Sequence, residues 1–138
     1  MRAYEPSDRI EVKLNKLGVT FIMSPLTHAQ KGEVMSCVAM KSGNFIQDRW
    51  EMVKLALKYS LKGVKGIETK NGPWNPTMEP DGTLAMSNLD VLFNISGASQ
   101  ILMAAALQFS GAGVPETITN QETEKPFEDV EVVLDPKA

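Results

Sequence analysis

The chain has 138 residues, 43% of them hydrophobic, a formal net charge of −3, one cysteine and one histidine. That length supports one ordinary hydrophobic core, and two independent domains would each be very small. A single Cys37 excludes an intramolecular disulfide, and with only His28 beside it a zinc site would have to draw on carboxylates.

The charge is unevenly spread. Residues 1–111 carry 12 basic and 10 acidic side chains, whereas residues 112–138 carry 2 and 7. The division predicts a single α+β domain over residues 1–111 and an acidic, flexible tail over 112–138, since the tail holds too few large apolar side chains to offset its ordering entropy. Within it, Val130-Glu131-Val132-Val133-Leu134 is an apolar patch that could pair as a strand on a sheet edge, its own or a partner's. Met1 to Pro6 shows no apolar run after its basic residue, unlike a signal peptide, and no segment approaches the roughly 18 apolar residues of a membrane span. A cytoplasmic location is the simplest expectation.

In chain order, Ile10, Val12 and Leu14 alternate with polar residues. After Leu17-Gly18, so do Val19, Phe21 and Met23, which predicts an N-terminal β-hairpin ended by Pro25. Thr27 precedes Gln30 at capping-box spacing and opens a helix expected to run through Val34, Val38 and Met40 to Ser42-Gly43. Asn44 and Gln47 repeat that spacing for a long helix over residues 45–62. Trp50, Val53, Leu57 and Leu61 then share an apolar face, and Lys54, Lys58 and Lys62 a solvated one. Asn71-Gly72, three prolines and Asp81-Gly82 punctuate a loop. Ser87 and Asp90 cap a further helical run, and Ser96-Gly97 breaks it before a strongly apolar helix over residues 99–109. The fold class expected is α+β, mainly α: a β-hairpin, about four helices and a mobile C-terminal tail.

The apolar circumference of the last helix, with Met103 and Leu107, suits either a central core position or contact with another molecule. Eight methionines fall mostly at helical spacings among other apolar residues, the pattern of adaptable core filler, although flexible partner grooves use them too. Cys37 lies among Val34, Met35, Val38 and Met40 and reads as a buried small apolar residue.

Chemistry is hard to find. There is no phosphate loop, GxGxxG, HExxH or calcium-loop motif. His28 falls in the first turn of a helix beside its cap, and Glu79 and Asp81 fall in a proline-rich loop, where acids ordinarily serve turns. Aromatic interleaving of the lysine stripe is weak and the chain is acidic overall, which argues against nucleic acid. A non-enzymatic interaction protein is expected, with no cofactor, no metal, no nucleic acid and no membrane partner.

The order of elements, and above all Leu57-Lys58-Tyr59-Ser60-Leu61-Lys62-Gly63-Val64-Lys65-Gly66-Ile67 followed by the Asn71-Gly72 turn, resembles the tail assembly chaperones of long-tailed bacteriophages over roughly residues 8–110. The resemblance implies a protein made in the host cytoplasm during infection that binds the tape-measure protein and helps recruit tail-tube protein, with homo-oligomers possible. Some members are extended by a translational frameshift near the C-terminus, which would make the acidic tail the end of a short product. Client contact is then expected on the 45–62 helix, at Trp50, Lys54 and Lys58, and on the last helix at Met103 and Leu107, with Val132 and Leu134 as a docking strand. The alternative is a structural virion component, a head–tail connector or neck adaptor, that would use Val130–Leu134 in a ring.

Overall fold

The computed structural model describes residues 7–41, 43–92, 98–109, 118–120 and 123–134. The architecture is mixed α+β, with helices gathered on one face of an antiparallel sheet. The alternating pattern of the N-terminal segments produces β1 (Ile10–Leu14) and β2 (Val19–Met23), paired antiparallel with Val12 opposite Phe21. Their inward residues, Ile10, Val12, Leu14, Val19, Phe21 and Met23, are buried, while Glu11, Lys13, Thr20 and Ile22 face outward and are half-buried. The expected hairpin is therefore present, but as the middle of a four-stranded sheet.

Helix α1 (His28–Met35) begins at the capping box read from the sequence: Gln30 N donates to Thr27 Oγ1 at 3.1 Å and Thr27 N donates to Gln30 Oε1 at 3.0 Å. It stops earlier than its apolar spacing suggests. Residues 38–47 are not helical but form a hairpin of β3 (Val38–Lys41) and β4 (Asn44–Gln47), with Lys41 opposite Asn44 and Gly43 at φ +81°. A glycine in the left-handed region of a two-residue connection is a hairpin signal, and here it overrides the capping spacing of Asn44 and Gln47. Asp48 is the actual N-cap of α2 (Arg49–Ser60), its Oδ1 accepting from Glu51 N at 3.2 Å.

At the other end, α2 stops at Ser60, short of the expected Lys62. Ser24 N donates to the Ser60 carbonyl at 2.8 Å and Ser60 Oγ to the Ser24 carbonyl at 2.7 Å, both buried, which holds the helix end against the end of β2. Leu61 turns to extended backbone and the chain continues directly into β5 (Leu61–Lys65), antiparallel to β2. The expected long helix and its neighbour are thus shortened by strand pairing in two places, and strands weigh about as much as helices in this fold.

A small hairpin follows, β6 (Glu68–Thr69) and β7 (Gly72–Pro73), with Gly72 at φ +103° just past the turn. The proline-rich loop is closed by Asn88, whose buried amide accepts from Thr77 N at 2.9 Å and donates to the Thr77 and Ala85 carbonyls, both at 2.7 Å. Asn88 ends a 3-10 turn (Met86–Asn88) that leads into α3 (Leu89–Leu92). The proposed break at Ser96-Gly97 lies outside the described residues. Helix α4 (Ala98–Gln108) buries Ala98, Leu102, Ala104, Ala105 and Ala106 and packs against α2, the core position allowed by its apolar circumference. Alanines at the crossing let the two backbones approach closely.

Beyond α4, Gln108 reads Thr119 as a strand would: its Oε1 accepts from Thr119 N at 3.0 Å and its Nε2 donates to the Thr119 carbonyl at 2.7 Å. Thr119 lies in β8 (Thr119–Asn120), which pairs with β9 (Lys125–Pro126). The acidic C-terminal segment then supplies β10 (Val130–Leu134), antiparallel to β1 with Val12 opposite Val132, so the sheet order is β10-β1-β2-β5. Of the two edges weighed for this patch, it occupies the chain's own. Burial of Val130 and Val132 beside Ile10, Val12 and Leu14 is what offsets the cost of ordering it.

Candidate partner-binding surface

Three of the residues singled out from the sequence lie on α2. Buried positions on that helix are Met52, Ala56, Leu57 and Ser60, so the core-facing stripe is rotated away from Trp50. Trp50 sits one position inside the N-terminus and is 56% exposed. One turn later, Lys54 is ion-paired with Glu51 and places its Nζ 6.0 Å from the Trp50 ring centroid, the outer limit of a cation–π contact. Lys58, a further turn on, sets its Nζ 5.4 Å from the neighbouring Tyr59 ring.

The chain before α2 returns to the same place. Asp48 N donates to the Cys37 carbonyl at 3.1 Å, which joins the end of α1 to the start of α2 at the base of the β3–β4 hairpin. Met35, two residues before this bond, is 48% exposed; Trp50 follows it by two. Cys37 is half-buried and packed against the core, and burial, followed by the carboxylates of Glu51, Asp48 and Glu33, pushes its thiol above the ordinary range. It is held as a thiol, without the electropositive surroundings a nucleophile needs.

Around Lys58 the surface opens into a cleft of about 430 Å³, lined also by Glu79, Asp81, Thr83, Leu84 and Met86. The loop is fastened to α2 and β5: Leu84 N donates to the Lys58 carbonyl at 2.9 Å, and Lys62 Nζ to the Gly82 carbonyl at 2.9 Å. Partial burial, helped by Arg9 and opposed by Asp81, holds Lys62 below the ordinary lysine range. Asp81 Oδ1 accepts from Thr83 Oγ1 at 2.7 Å and Thr83 N at 3.0 Å, and these bonds hold its carboxyl below the ordinary range. Its charge is engaged in the turn. His28 lies exposed at the start of α1, well apart in sequence from both acids. Among the described residues no group of three or more His, Cys, Asp or Glu side chains could hold a metal ion, and no helix is long and apolar enough to cross a membrane.

The remaining candidates are placed elsewhere. Met103 and Leu107 are half-buried on α4 and pack against the core. Val132 is buried at 8% exposure in β10, and Leu134 pairs with Ile10 at the end of that strand. Trp50 is therefore exposed, with the half-buried Lys54 and Lys58 following it along one strip of α2, and the two α4 residues and the two β10 residues do not join it.

Sequence reasoning passed over three exposed apolar residues, Met35, Leu17 and the Met86 of the Lys58 cleft. Met35 looked like part of a continuous helical stripe, and only the early end of α1 leaves it at the surface. Leu17, 52% exposed in the β1–β2 turn, borders a groove of about 270 Å³ with Leu14, Ile101, Lys16, Glu128 and Asp129. A large apolar residue beside a turn glycine was the available signal.

No protein-family model, no curated protein and no solved structure matches the chain.

Proposed function

We propose that the protein is a non-enzymatic tail assembly chaperone of a long-tailed bacteriophage, acting in the host cytoplasm by binding the tape-measure protein and helping to recruit tail-tube subunits. Two things support this reading. One is the sequence run from Leu57 to Ile67, followed by Asn71-Gly72, on which the resemblance chiefly rests. The other, which carries the proposal, is the exposed Trp50 at the start of α2, with Met35 at the adjoining end of α1.

A tryptophan left 56% exposed at the start of α2, with a half-exposed methionine at the adjoining end of α1, is the composition of an interface anchor, because both bury large apolar area with little ordering cost or with adaptable shape. An amphipathic helix of a coil-forming client would lay its apolar positions on this strip, and Lys54 and Lys58 would face its polar flank. Client contact accordingly centres on the first turns of α2. Met103 and Leu107 contribute only what their packing against the core leaves accessible.

The experiment is coexpression of the full chain with a tape-measure fragment. The proposal expects the fragment to stay soluble and to copurify, and expects Trp50→Ala to lower that yield. Unchanged client solubility with and without the chain would refute it. The alternative, a head–tail connector or neck adaptor, draws support from the position of Val130–Leu134 at a sheet edge. Stoichiometric presence in mature particles would favour it, because an assembly chaperone leaves.

A further inference from the structure

The four-stranded sheet has two open sides, and they carry opposite charge. Each neighbouring pair in the order β10-β1-β2-β5 is antiparallel, so the two outer strands run in opposite directions. Neither has a second partner strand among the described residues. On and just before β10 stand Glu128, Glu131 and Asp129, all exposed, the last ion-paired with Lys16 at 3.4 Å; on β5 stand the half-buried Lys62, its Nζ on the Gly82 carbonyl, and the exposed Lys65.

We propose that copies of this chain associate head to tail, β10 of one copy adding antiparallel to the open side of β5 in the next. This inference does not depend on the chaperone reading. A copy added in this way continues the antiparallel alternation and keeps both core faces on one side.

The register follows from side-chain parity. With Glu131 opposite Lys65 of the next copy, Val132 falls opposite Val64 and Val133 opposite Gly63. Val132 and Val64 are both buried core-face residues, at 8% and 4% exposure, and Glu131 and Lys65 are both exposed. A slip by one residue would set Glu131 against the core face. Lys65 already reaches Glu11 at 3.5 Å on the outer face, so the added carboxylate would complete an acid–base–acid row across the seam.

Charge also selects the second copy's opposite edge over its like edge. Pairing β10 with β10 would gather the carboxylates of two copies along one seam, and pairing β5 with β5 would gather the ammonium groups. Like charges facing across strands are unfavourable, and edge charges are a common guard against indiscriminate strand pairing. Opposite signs on the two edges leave the head-to-tail contact as the permitted one. Such a contact is heterologous and builds a ring or an open filament.

Sedimentation velocity of the full chain over a concentration series tests this, with circular dichroism confirming that each variant is folded. The wild type should form concentration-dependent species larger than a dimer. Glu131→Lys alone sets lysine against lysine, and Lys65→Glu alone sets glutamate against glutamate, so each should weaken association by about tenfold. An equimolar mixture of the two variants should associate again, because each then offers the edge the other needs. As a second route, oxidation of a Cys37→Ser, Glu131→Cys, Lys65→Cys chain should give a ladder of disulfide-linked species. A wild type that stays monomeric at every concentration, folded single variants that associate like the wild type, a mixture that does not recover, or absence of the ladder would overturn the proposal.

Discussion

Gly66 lies directly against the carbonyl oxygen of Gly18, so that the end of β5 and the turn of the β1–β2 hairpin meet backbone to backbone. Both residues have positive φ, +94° at Gly66 and +68° at Gly18, but only Gly66 is crowded: a Cβ there would overlap the Gly18 oxygen, whereas one at Gly18 meets nothing within 4 Å. Gly66→Ala should therefore cost about 2–4 kcal/mol, combining a left-handed backbone penalty with displacement of a main-chain atom, and Gly18→Ala only about 1 kcal/mol. Denaturant unfolding of the two variants checks the ranking. Equal losses would mean that the contact is absent in solution.

Asn88 provides a second test, of the loop that forms one wall of the Lys58 cleft. Its amide satisfies three buried or half-buried backbone groups, Thr77 N, the Thr77 carbonyl and the Ala85 carbonyl. Asn88→Ala takes the side-chain acceptor from Thr77 N, while the Thr77 carbonyl keeps Ala85 N and the Ala85 carbonyl keeps the main-chain N of residue 88, so the loss should be about 1–2 kcal/mol. Asn88→Asp keeps the shape and the acceptor but loses both donated bonds, so it should not rescue stability. Amide exchange at Thr77 should rise more in Asn88→Ala than in Asn88→Asp, which keeps the acceptor of Thr77 N.

Much of the fold could be read from the sequence, and the misreadings have a common cause. The hairpin of Ile10 to Met23, the Thr27–Gln30 capping box and the apolar helix ending near Gln108 each depend on local pattern, and each is present. The segments 38–47 and 61–65 carry helix-compatible spacing, but their structure is decided by partners distant in sequence or by one turn glycine. Leu61–Lys65 becomes a strand because β2 lies alongside it, and the Ser24–Ser60 bonds end the helix there. Val130–Leu134 showed its apolar character at once, yet its partner β1 lies some 120 residues earlier, a pairing that composition cannot reveal. Of the candidate surface, Lys54 and Lys58 could be placed by helical periodicity. Trp50 could not, because its exposure follows from the Asp48 cap and the resulting rotation of the buried stripe.

The Tyr59–Glu33 contact couples stability to alkaline pH. Tyr59 Oη donates to Glu33 Oε2 at 2.6 Å, and this bond, with burial and the Glu33 charge, raises the phenol above its ordinary value of 10.0. A raised folded pKa means that the bond's contribution is fully present below about pH 10 and is lost as pH rises through the folded value. The pair is largely solvent-exposed, so the effect should be below about 1 kcal/mol. Relative to wild type, Tyr59→Phe should lose stability at neutral pH, and the difference should shrink above pH 10. A difference that stays constant into strong alkali would contradict the bond.

The central claim, that the protein is an assembly chaperone whose α2 strip receives an apolar helical client, is tested most directly by copurification of a tape-measure fragment with the wild-type chain and with Trp50→Ala. Trp50 is exposed on the first turn of α2, so the substitution should change thermal stability by less than about 0.5 kcal/mol. The account predicts a soluble client complex with the wild type and at least a severalfold loss of bound client with the folded variant. A client that remains insoluble beside the wild type, or that is retained equally by both proteins, would contradict it.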